Sequence, residues 1–229
     1  APGVSMVEIR KKIGLVFQYP EYQLFEETVG KDISFGPKNM GLDENEIALR
    51  VAEAAKLCGI PEDSLSRSPF ELSGGQKRRV AIAGVMAMRP EYLVLDEPAA
   101  GLDPVGKTDI LGGIINYKNE TEGTVVLISH SMEDVAKYSD MILVLKEGKV
   151  FSYGSVEEIF SDIESLEYVF EVHVLIEVLC CKSIHSGMTE LIISLTFFII
   201  RQDSVCFTHF FKLIFCIWFI TNVWMVFSG

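Results

Sequence analysis

The chain lacks a surplus of positive charge. Its 20 lysines and arginines face 32 aspartates and glutamates, which leaves a net charge of −12 over 229 residues. Because proteins that hold nucleic acid need a basic face for the phosphates, this composition argues against a nucleic-acid partner. Residues 1–10 also lack the apolar run of an export signal, and no segment of the chain repeats another.

Cysteine is scarce as well, and none stands at metal-ligand spacing. The adjacent pair Cys180 and Cys181 does not match a zinc motif. An odd total of five fits a reducing cytosol better than a disulfide framework. The five positions are 58, 180, 181, 206 and 216.

Two stretches carry recognisable chemistry. In Leu72–Arg79, a serine hydroxyl and two glycine amides precede a helix-like apolar run that begins at Val80. Backbone N–H groups gathered at a helix start, with no side chains in the way, suit a phosphate. In Tyr92–Pro98, an apolar strand ends in Asp96 and Glu97. One carboxylate suits magnesium and the next suits an attacking water, so together the stretches indicate hydrolysis of a nucleoside triphosphate.

These stretches resemble the signature loop and the Walker B strand of ABC-transporter ATPases. The resemblance implies ATP and Mg²⁺ as cofactors, with Asp96 on magnesium and Glu97 positioning or deprotonating the water. It also implies that the signature loop contacts the nucleotide held by a second ATPase subunit. The loop residues concerned are Ser73, Gly74, Gly75 and Gln76.

Gln18 closes an apolar strand predicted over Ile13–Phe17. An amide there can touch magnesium and a water together, although a glutamine that only caps a strand edge is a common alternative. Beside the two motifs above, Gln18 resembles the Q-loop glutamine of ABC ATPases, which contacts magnesium and senses the γ-phosphate. Tyr19–Phe25 resembles the version found in energy-coupling factor (ECF) importers of vitamins and metal ions, where a membrane subunit docks.

His130 follows a further buried strand, Thr124–Ile128. A single histidine after a strand is commonly a turn residue. Third in order after the signature loop and the Asp-Glu strand, it resembles the switch histidine that senses the γ-phosphate. Pro98–Pro104 resembles the D-loop, which crosses the dimer interface and brings Asp103 to the nucleotide. Asp103 followed by Pro104 also predicts a helix start, with an acceptor at the cap and proline first.

A basic cluster, Lys77, Arg78 and Arg79, lies in the first turns of the predicted signature helix. The helix dipole disfavours cations at that end. The cluster either forms a solvated face or helps to hold an anionic γ-phosphate, and we favour the second interpretation.

Gly101–Thr108 matches the P-loop pattern G-x-x-x-x-G-K-[ST]. We expect no P-loop here, because Pro104 has no backbone N–H to offer and Asp103 would place a carboxylate among phosphates. A helix that starts at Pro104 would also wind Lys107 into its first turns.

The pattern between these motifs predicts a helical region. Residues 26–40 are interpreted as a loop-rich stretch that contains Pro37. A helix is predicted to start at Asp43 and to end near Gly59, and residues 61–69 form a polar connector. In the family this region is the helical subdomain that faces the membrane subunits.

A hairpin over residues 141–153 and a short helix over residues 155–160 complete the family-like part. We therefore predict a partial ABC ATPase domain over residues 1–166 and an atypical hydrophobic tail over residues 167–229. In the tail, Leu191–Ile200 is too short to span a bilayer, and Val205–Phe227 is long enough but includes Lys212. Two interpretations of the tail remain: it is a membrane anchor, or it is non-native sequence. We favour the second. Truncation after about Leu166 should then raise solubility.

The genuine P-loop of the family lies upstream of the Q-loop, and no such motif precedes Gln18 in this sequence. The chain therefore resembles an ATPase truncated at its N-terminus. We expect this chain alone to bind ATP weakly and to be inactive.

The sequence thus predicts an α/β fold of the P-loop ATPase class, with a mostly parallel central sheet and a helical signature subdomain. The resemblance implies an ATP-hydrolysing subunit that energises an ECF importer, peripheral to the cytoplasmic face of the cell membrane. Its partners would be a second ATPase subunit, a transmembrane coupling subunit and a substrate-binding membrane subunit. The alternative is a non-catalytic partner that lends Ser73–Gln76 to a complete ATPase. An ABC-type ATPase of DNA repair or translation would instead predict a coiled coil or a second ATPase domain.

Overall fold

A single six-stranded sheet organises the chain. The computed structural model describes residues 11–121, 123–146, 149–161 and 175–180. Within those ranges the strands lie in the order β1-β2-β3-β6-β4-β5, accompanied by six α-helices. The predicted α/β fold is therefore confirmed.

Three parallel strands form one side of the sheet: β1 (Ile13–Val16), β2 (Tyr92–Asp96) and β3 (Thr124–Ser129). Each alternates buried and half-buried residues, as expected of apolar runs in a covered sheet. The register pairs Val16 with Leu95 and Leu95 with Leu127. Since the strands are parallel and in step, their carboxyl ends meet at one edge, and the residues that follow them are brought together there.

The other side of the sheet is antiparallel. Strands β4 (Met141–Lys146) and β5 (Lys149–Ser155) form the predicted hairpin. Strand β6 (Leu175–Cys180) lies between β3 and β4 and is antiparallel to both. The sheet thus takes one strand from beyond residue 166, the boundary predicted for the ATPase part. That boundary stays a prediction, and the remaining tail lies outside the described residues.

The helices other than α1 begin close to the predicted positions. They are α1 (Val29–Asn39), α2 (Glu44–Leu57), α3 (Gly74–Met86), α4 (Pro104–Thr121), α5 (Met132–Tyr138) and α6 (Val156–Ser161). Asp43 caps α2 by accepting hydrogen bonds from the backbone of Asn45 and Glu46, and α2 is followed by Gly59 in the left-handed region at φ 63°. The polar connector contains a short 3-10 helix, Glu62–Ser66, and a second one, Pro69–Glu71, begins at its last residue.

The prediction of a loop-rich stretch over residues 26–40 is wrong, because most of it is α1. Thr28 caps this helix, and its Val29 and Ile33 are fully buried in the core. Burying two such side chains contributes about 1.5–3 kcal/mol each. Pro37 lacks one backbone N–H and lies in the last turn of α1, so the helix loses that one hydrogen bond close to its end.

The core joins the parallel strands to the helical region. α1 and α3 pack on each other, and α3 also contacts β1. Val80 and Ala83 of α3 are buried in the same cluster as Leu93 and Leu95 of β2. This packing holds the start of α3 in a fixed relation to the carboxyl edge of the sheet. No helix in the described ranges is both long and apolar enough to cross a membrane.

Candidate active site

Glu97 and His130 meet at the carboxyl edge of the sheet. Glu97 directly follows β2 and His130 directly follows β3. The His130 Nδ1 lies 2.5 Å from Glu97 Oε1, and the same oxygen accepts the His130 backbone N–H at 2.9 Å. The Glu97 side chain is only 14% exposed, whereas that of His130 is 75% exposed. The structure therefore joins two residues that the sequence places 33 positions apart.

The backbone around Glu97 is unusual. Glu97 has φ 48°, in the left-handed region that non-glycine residues rarely adopt. Its N–H donates to Ile128 O at 3.0 Å, and its own carbonyl accepts the Ala100 N–H at 3.1 Å. These bonds turn the chain sharply after β2 and direct the carboxylate towards His130. Such a conformation costs about 1–3 kcal/mol and persists only where its surroundings enforce it.

Asp96 and Gln18 lie at the same edge. Asp96 is the last residue of β2, and Gln18 comes two residues after β1 ends at Val16. The β1–β2 register pairs Val16 with Leu95, so the chain leaves both strands side by side. A carboxylate and an amide oxygen are hard donors of the kind Mg²⁺ prefers, usually with phosphate oxygens and water completing the shell. These two residues fit a shared magnesium–nucleotide site.

The signature stretch forms a capped helix start, as predicted. Ser73 Oγ accepts the Gln76 N–H at 3.3 Å, and Gln76 Oε1 accepts the Ser73 N–H at 3.0 Å, which completes a capping box. A side chain at Gly74 would meet no atom within 4 Å, so its backbone faces open space. The start of α3 therefore offers accessible N–H groups to an anion.

A cavity of about 260 Å³ joins this helix start to the D-loop. Ser73, Gly75 and Gln76 line one side, and Leu102 and Asp103 line the other. Glu97 and His130 do not line this cavity. The structure thus forms two separate clusters, one at the carboxyl edge of the sheet and one at the start of α3. That the two clusters serve two different nucleotides stays a prediction.

The interpretation that Arg78 helps to hold a γ-phosphate is wrong. Its side chain is buried, with Nε and Nη2 bonded to the two carboxylate oxygens of Glu21 at 3.0 and 2.8 Å. Its Nη1 donates to the carbonyl of Ala100. Arg79 pairs with Asp109 at 3.0 Å. Lys77 is the member of this cluster without a salt bridge in the described part of the chain.

The P-loop look-alike is folded as a helix, as expected. α4 begins at Pro104, and Thr108 Oγ1 donates to the Pro104 carbonyl at 2.9 Å. Lys107 Nζ pairs with Asp134 at 2.8 Å and lies 3.3 Å from Ser131 Oγ. A P-loop lysine must reach a phosphate, whereas Lys107 instead ties α4 to α5 just after His130.

Comparison with known proteins agrees with this arrangement. The model of the ABC transporter family matches residues 4–100. This segment belongs to the ABC transporter family. The chain is 58% identical over 168 residues to the energy-coupling factor transporter ATP-binding protein EcfA2 of Clostridium acetobutylicum, covering 73% of this chain and 59% of that protein. The namesake proteins of Clostridium tetani and Bacillus cereus are 58% and 55% identical over 72% and 70% of this chain.

A solved structure of the same family shares the fold. CbiO1 of Clostridium perfringens, described as part of the ABC transporter complex CbiONQ, aligns with a TM-score of 0.63 at 43% identity. The match covers 71% of this chain and 64% of CbiO1. The chain spans less than two thirds of the length of these relatives.

The sequence reasoning missed the residues that connect the loops of this site. Glu21 and Arg78 lie 57 positions apart, and Lys107 and Ser131 lie 24 apart, so no local pattern pairs them. One feature of the sequence pointed to the first pair: Arg78 is a cation near a helix N-terminus, which is unfavourable unless the side chain has a specific partner. The sequence does not show that this partner is Glu21.

Proposed function

We propose that this ABC domain is part of an ATP-hydrolysing subunit that energises an importer of the energy-coupling factor type. The observation that carries the proposal is the contact between Glu97 and His130 at the ends of adjacent parallel strands, with Asp96 directly before Glu97. A half-buried carboxylate held by one oxygen can use the other to accept a proton. The names of the relatives support the transport role.

The roles of the side chains follow from this geometry. Glu97 accepts a proton from the water that attacks the γ-phosphorus, and the bond to phosphorus forms as the bond to the leaving oxygen of ADP breaks. His130 fixes Glu97 Oε1, and in the described part of the chain Glu97 Oε2 makes no hydrogen bond. That second oxygen is therefore left to accept the proton of the water. Bound Mg²⁺, held through Asp96 and Gln18, would neutralise developing charge on the phosphates.

The second cluster serves a different nucleotide. Ser73, Gly74, Gly75 and Gln76 would close over the ATP of a second ATPase subunit, with Asp103 at the same cavity. Closure on ATP and reopening after hydrolysis would move a transmembrane coupling subunit docked near Gln18–Phe25. A substrate-binding membrane subunit completes the proposed complex, which places this subunit at the cytoplasmic face of the membrane.

A non-catalytic partner is the second candidate. The fold of Gly101–Thr108 favours it, because this segment starts a helix and so does not supply the P-loop that a complete ATPase needs. Such a partner would lend its α3 start to a complete ATPase and hydrolyse nothing. Asp96 and Glu97 weigh against this role, because a lending subunit has no use for both carboxylates.

Substituting Glu97 by Gln in the full-length protein tests the proposal. The amide keeps the size of the side chain but cannot take the proton, so we expect ATP binding to persist while phosphate release falls by at least about a hundredfold. Glu91→Gln is the matched control, because Glu91 is an exposed carboxylate near the start of β2 that pairs with Lys12. Unchanged phosphate release in Glu97→Gln would remove Glu97 from catalysis, and no release even in the parent protein would favour the lending partner.

A further inference from the structure

Three separate segments meet at the guanidinium of Arg78. The arginine belongs to α3, its carboxylate partner Glu21 belongs to the short 3-10 helix Pro20–Gln23, and its carbonyl partner Ala100 follows β2. The guanidinium carbon also lies 5.7 Å from the centre of the Tyr19 ring. One side chain thus touches the loop that follows Gln18 and the loop that follows Glu97.

The contact is buried and uses both edges of the guanidinium. The side chain of Arg78 is 5% exposed and that of Glu21 is 15% exposed. A bidentate charge-assisted pair of this kind has a strict geometry, and a lysine cannot reproduce it. Because a buried charge is costly without its partner, the three segments are held in one relative position.

Both loops are strained at the residues next to the site. Tyr19 has φ 59° and Glu97 has φ 48°. Among the described residues only one other non-glycine residue, Arg89, has a positive φ. Left-handed conformations of such residues persist where neighbouring contacts enforce them. The bonds to Glu21 and Ala100 are contacts of that kind, each made within three residues of a strained position.

We propose that Arg78 is a positioning residue that holds the loops of Gln18 and Glu97 in register with the start of the signature helix. The proposal rests on the proposed function, since it gives these loops their catalytic meaning. Arg78 lies little more than one turn after Ser73, so a displacement of the α3 start moves the guanidinium with it. Engagement of the signature loop by the partner's nucleotide is thereby transmitted to the catalytic groups of the same subunit.

Hydrogen exchange of the full-length protein tests the positioning without any need for activity. In Arg78→Gln we expect the backbone amides of residues 19, 21–24, 97 and 99–101 to exchange about tenfold faster, because both loops lose their anchor. Arg50→Gln is the matched control: Arg50 pairs with Glu46 at 2.7 Å and donates to the Met88 carbonyl at 3.2 Å, but contacts neither loop. In that control we expect both loops to exchange as in the parent protein.

The outcomes of this experiment separate positioning from general stability. Faster exchange in both loops, with the strands unchanged, supports the proposal. Unchanged exchange, a change in one loop only, or an equal increase throughout the sheet overturns it. If Arg78→Gln does not fold, Glu21→Gln gives the same test, because it keeps a hydrogen-bonding group but removes the charge. Its expected effect is smaller but again includes both loops.

Steady-state kinetics supplies the functional arm. We expect Arg78→Gln to lower kcat by about ten- to a hundredfold with KM for ATP changed less than about twofold, because misplaced catalytic groups slow turnover more than binding. Arg78→Lys should restore little, while the double variant with Glu21→Gln should be no slower than Arg78→Gln alone. A rise in KM at constant kcat would overturn the positioning role. A parent protein without phosphate release would refute the proposed function, and hydrogen exchange would still decide on Arg78.

Discussion

Gly113 lies where two helices approach each other closely. It lies in the buried face of α4, and a Cβ atom added there would be 2.1 Å from the carbonyl oxygen of Leu57, the last residue of α2. An ordinary carbon–oxygen contact is about 3.3 Å or longer, so α2 and α4 would have to separate by about 1 Å. The atom met is backbone and cannot rotate away. Gly113→Ala should therefore overpack this contact.

Gly112 provides the matched control. It is the neighbouring residue of the same helix, and a Cβ atom there would meet nothing within 4 Å. Either substitution gains about 1 kcal/mol of helix propensity. Gly112→Ala should keep that gain, whereas Gly113→Ala should lose about 3 kcal/mol to overpacking and become net destabilised by about 2 kcal/mol. Because the propensity gain is common to both variants, their difference of about 3 kcal/mol measures the α2–α4 contact alone.

Thermal or urea unfolding of the two variants measures this difference. For a chain of this size, about 3 kcal/mol corresponds to a separation of about 6–12 °C in Tm, with Gly112→Ala above the parent protein and Gly113→Ala below it. Equal stability of the two variants, within about 0.5 kcal/mol, would refute the packing of α4 against the end of α2.

Three further predictions concern the pH response, the tail and the P-loop look-alike. Burial alone would raise the pKa of Glu21, but the hydrogen bond and charge of Arg78 outweigh it and hold the pKa below its ordinary 4.5. The stability that Glu21→Gln removes should thus be present at neutral pH and should shrink as the pH falls below 4.5 through the lowered pKa. Urea unfolding across that pH range checks this. Ending the chain at Leu166 removes β6 and leaves β3 and β4 without their shared neighbour, so we expect a lower Tm, whereas the sequence alone predicts only a gain in solubility; an unchanged Tm would contradict the role of β6. Lys107→Ala should leave the weak affinity of this chain for a fluorescent ATP analogue unchanged, because Lys107 pairs with Asp134. Micromolar binding that is lost in Lys107→Ala would instead show that Gly101–Thr108 is a P-loop.

Local patterns were sufficient for most elements of the fold. An apolar strand that ends in Asp96 and Glu97 is a local feature, as are the caps at Asp43 and Ser73 and the proline that opens α4. Helix α1 was missed because Pro37 favours a loop locally. The burial of its apolar face depends on α3, which lies far along the chain.

Glu97 and His130 were predictable as site residues but not as a contact. The sequence indicates Glu97 and His130 separately, and only the parallel pairing of β2 and β3 brings their side chains within 2.5 Å. The salt bridge from Arg78 to Glu21 and the insertion of β6 between β3 and β4 also join distant segments. Such pairings depend on tertiary structure, which no local period encodes.

The most direct test of the proposed active site is a double-mutant cycle on phosphate release by the full-length protein, with Glu97→Gln, His130→Ala and the two combined. Because His130 holds the oxygen of Glu97, we expect each single variant to lower kcat by about a hundredfold or more, and the double variant to be no slower than Glu97→Gln alone. Effects that multiply in the double variant would mean that the two residues act independently, and unchanged release in His130→Ala would contradict the pairing as a catalytic unit.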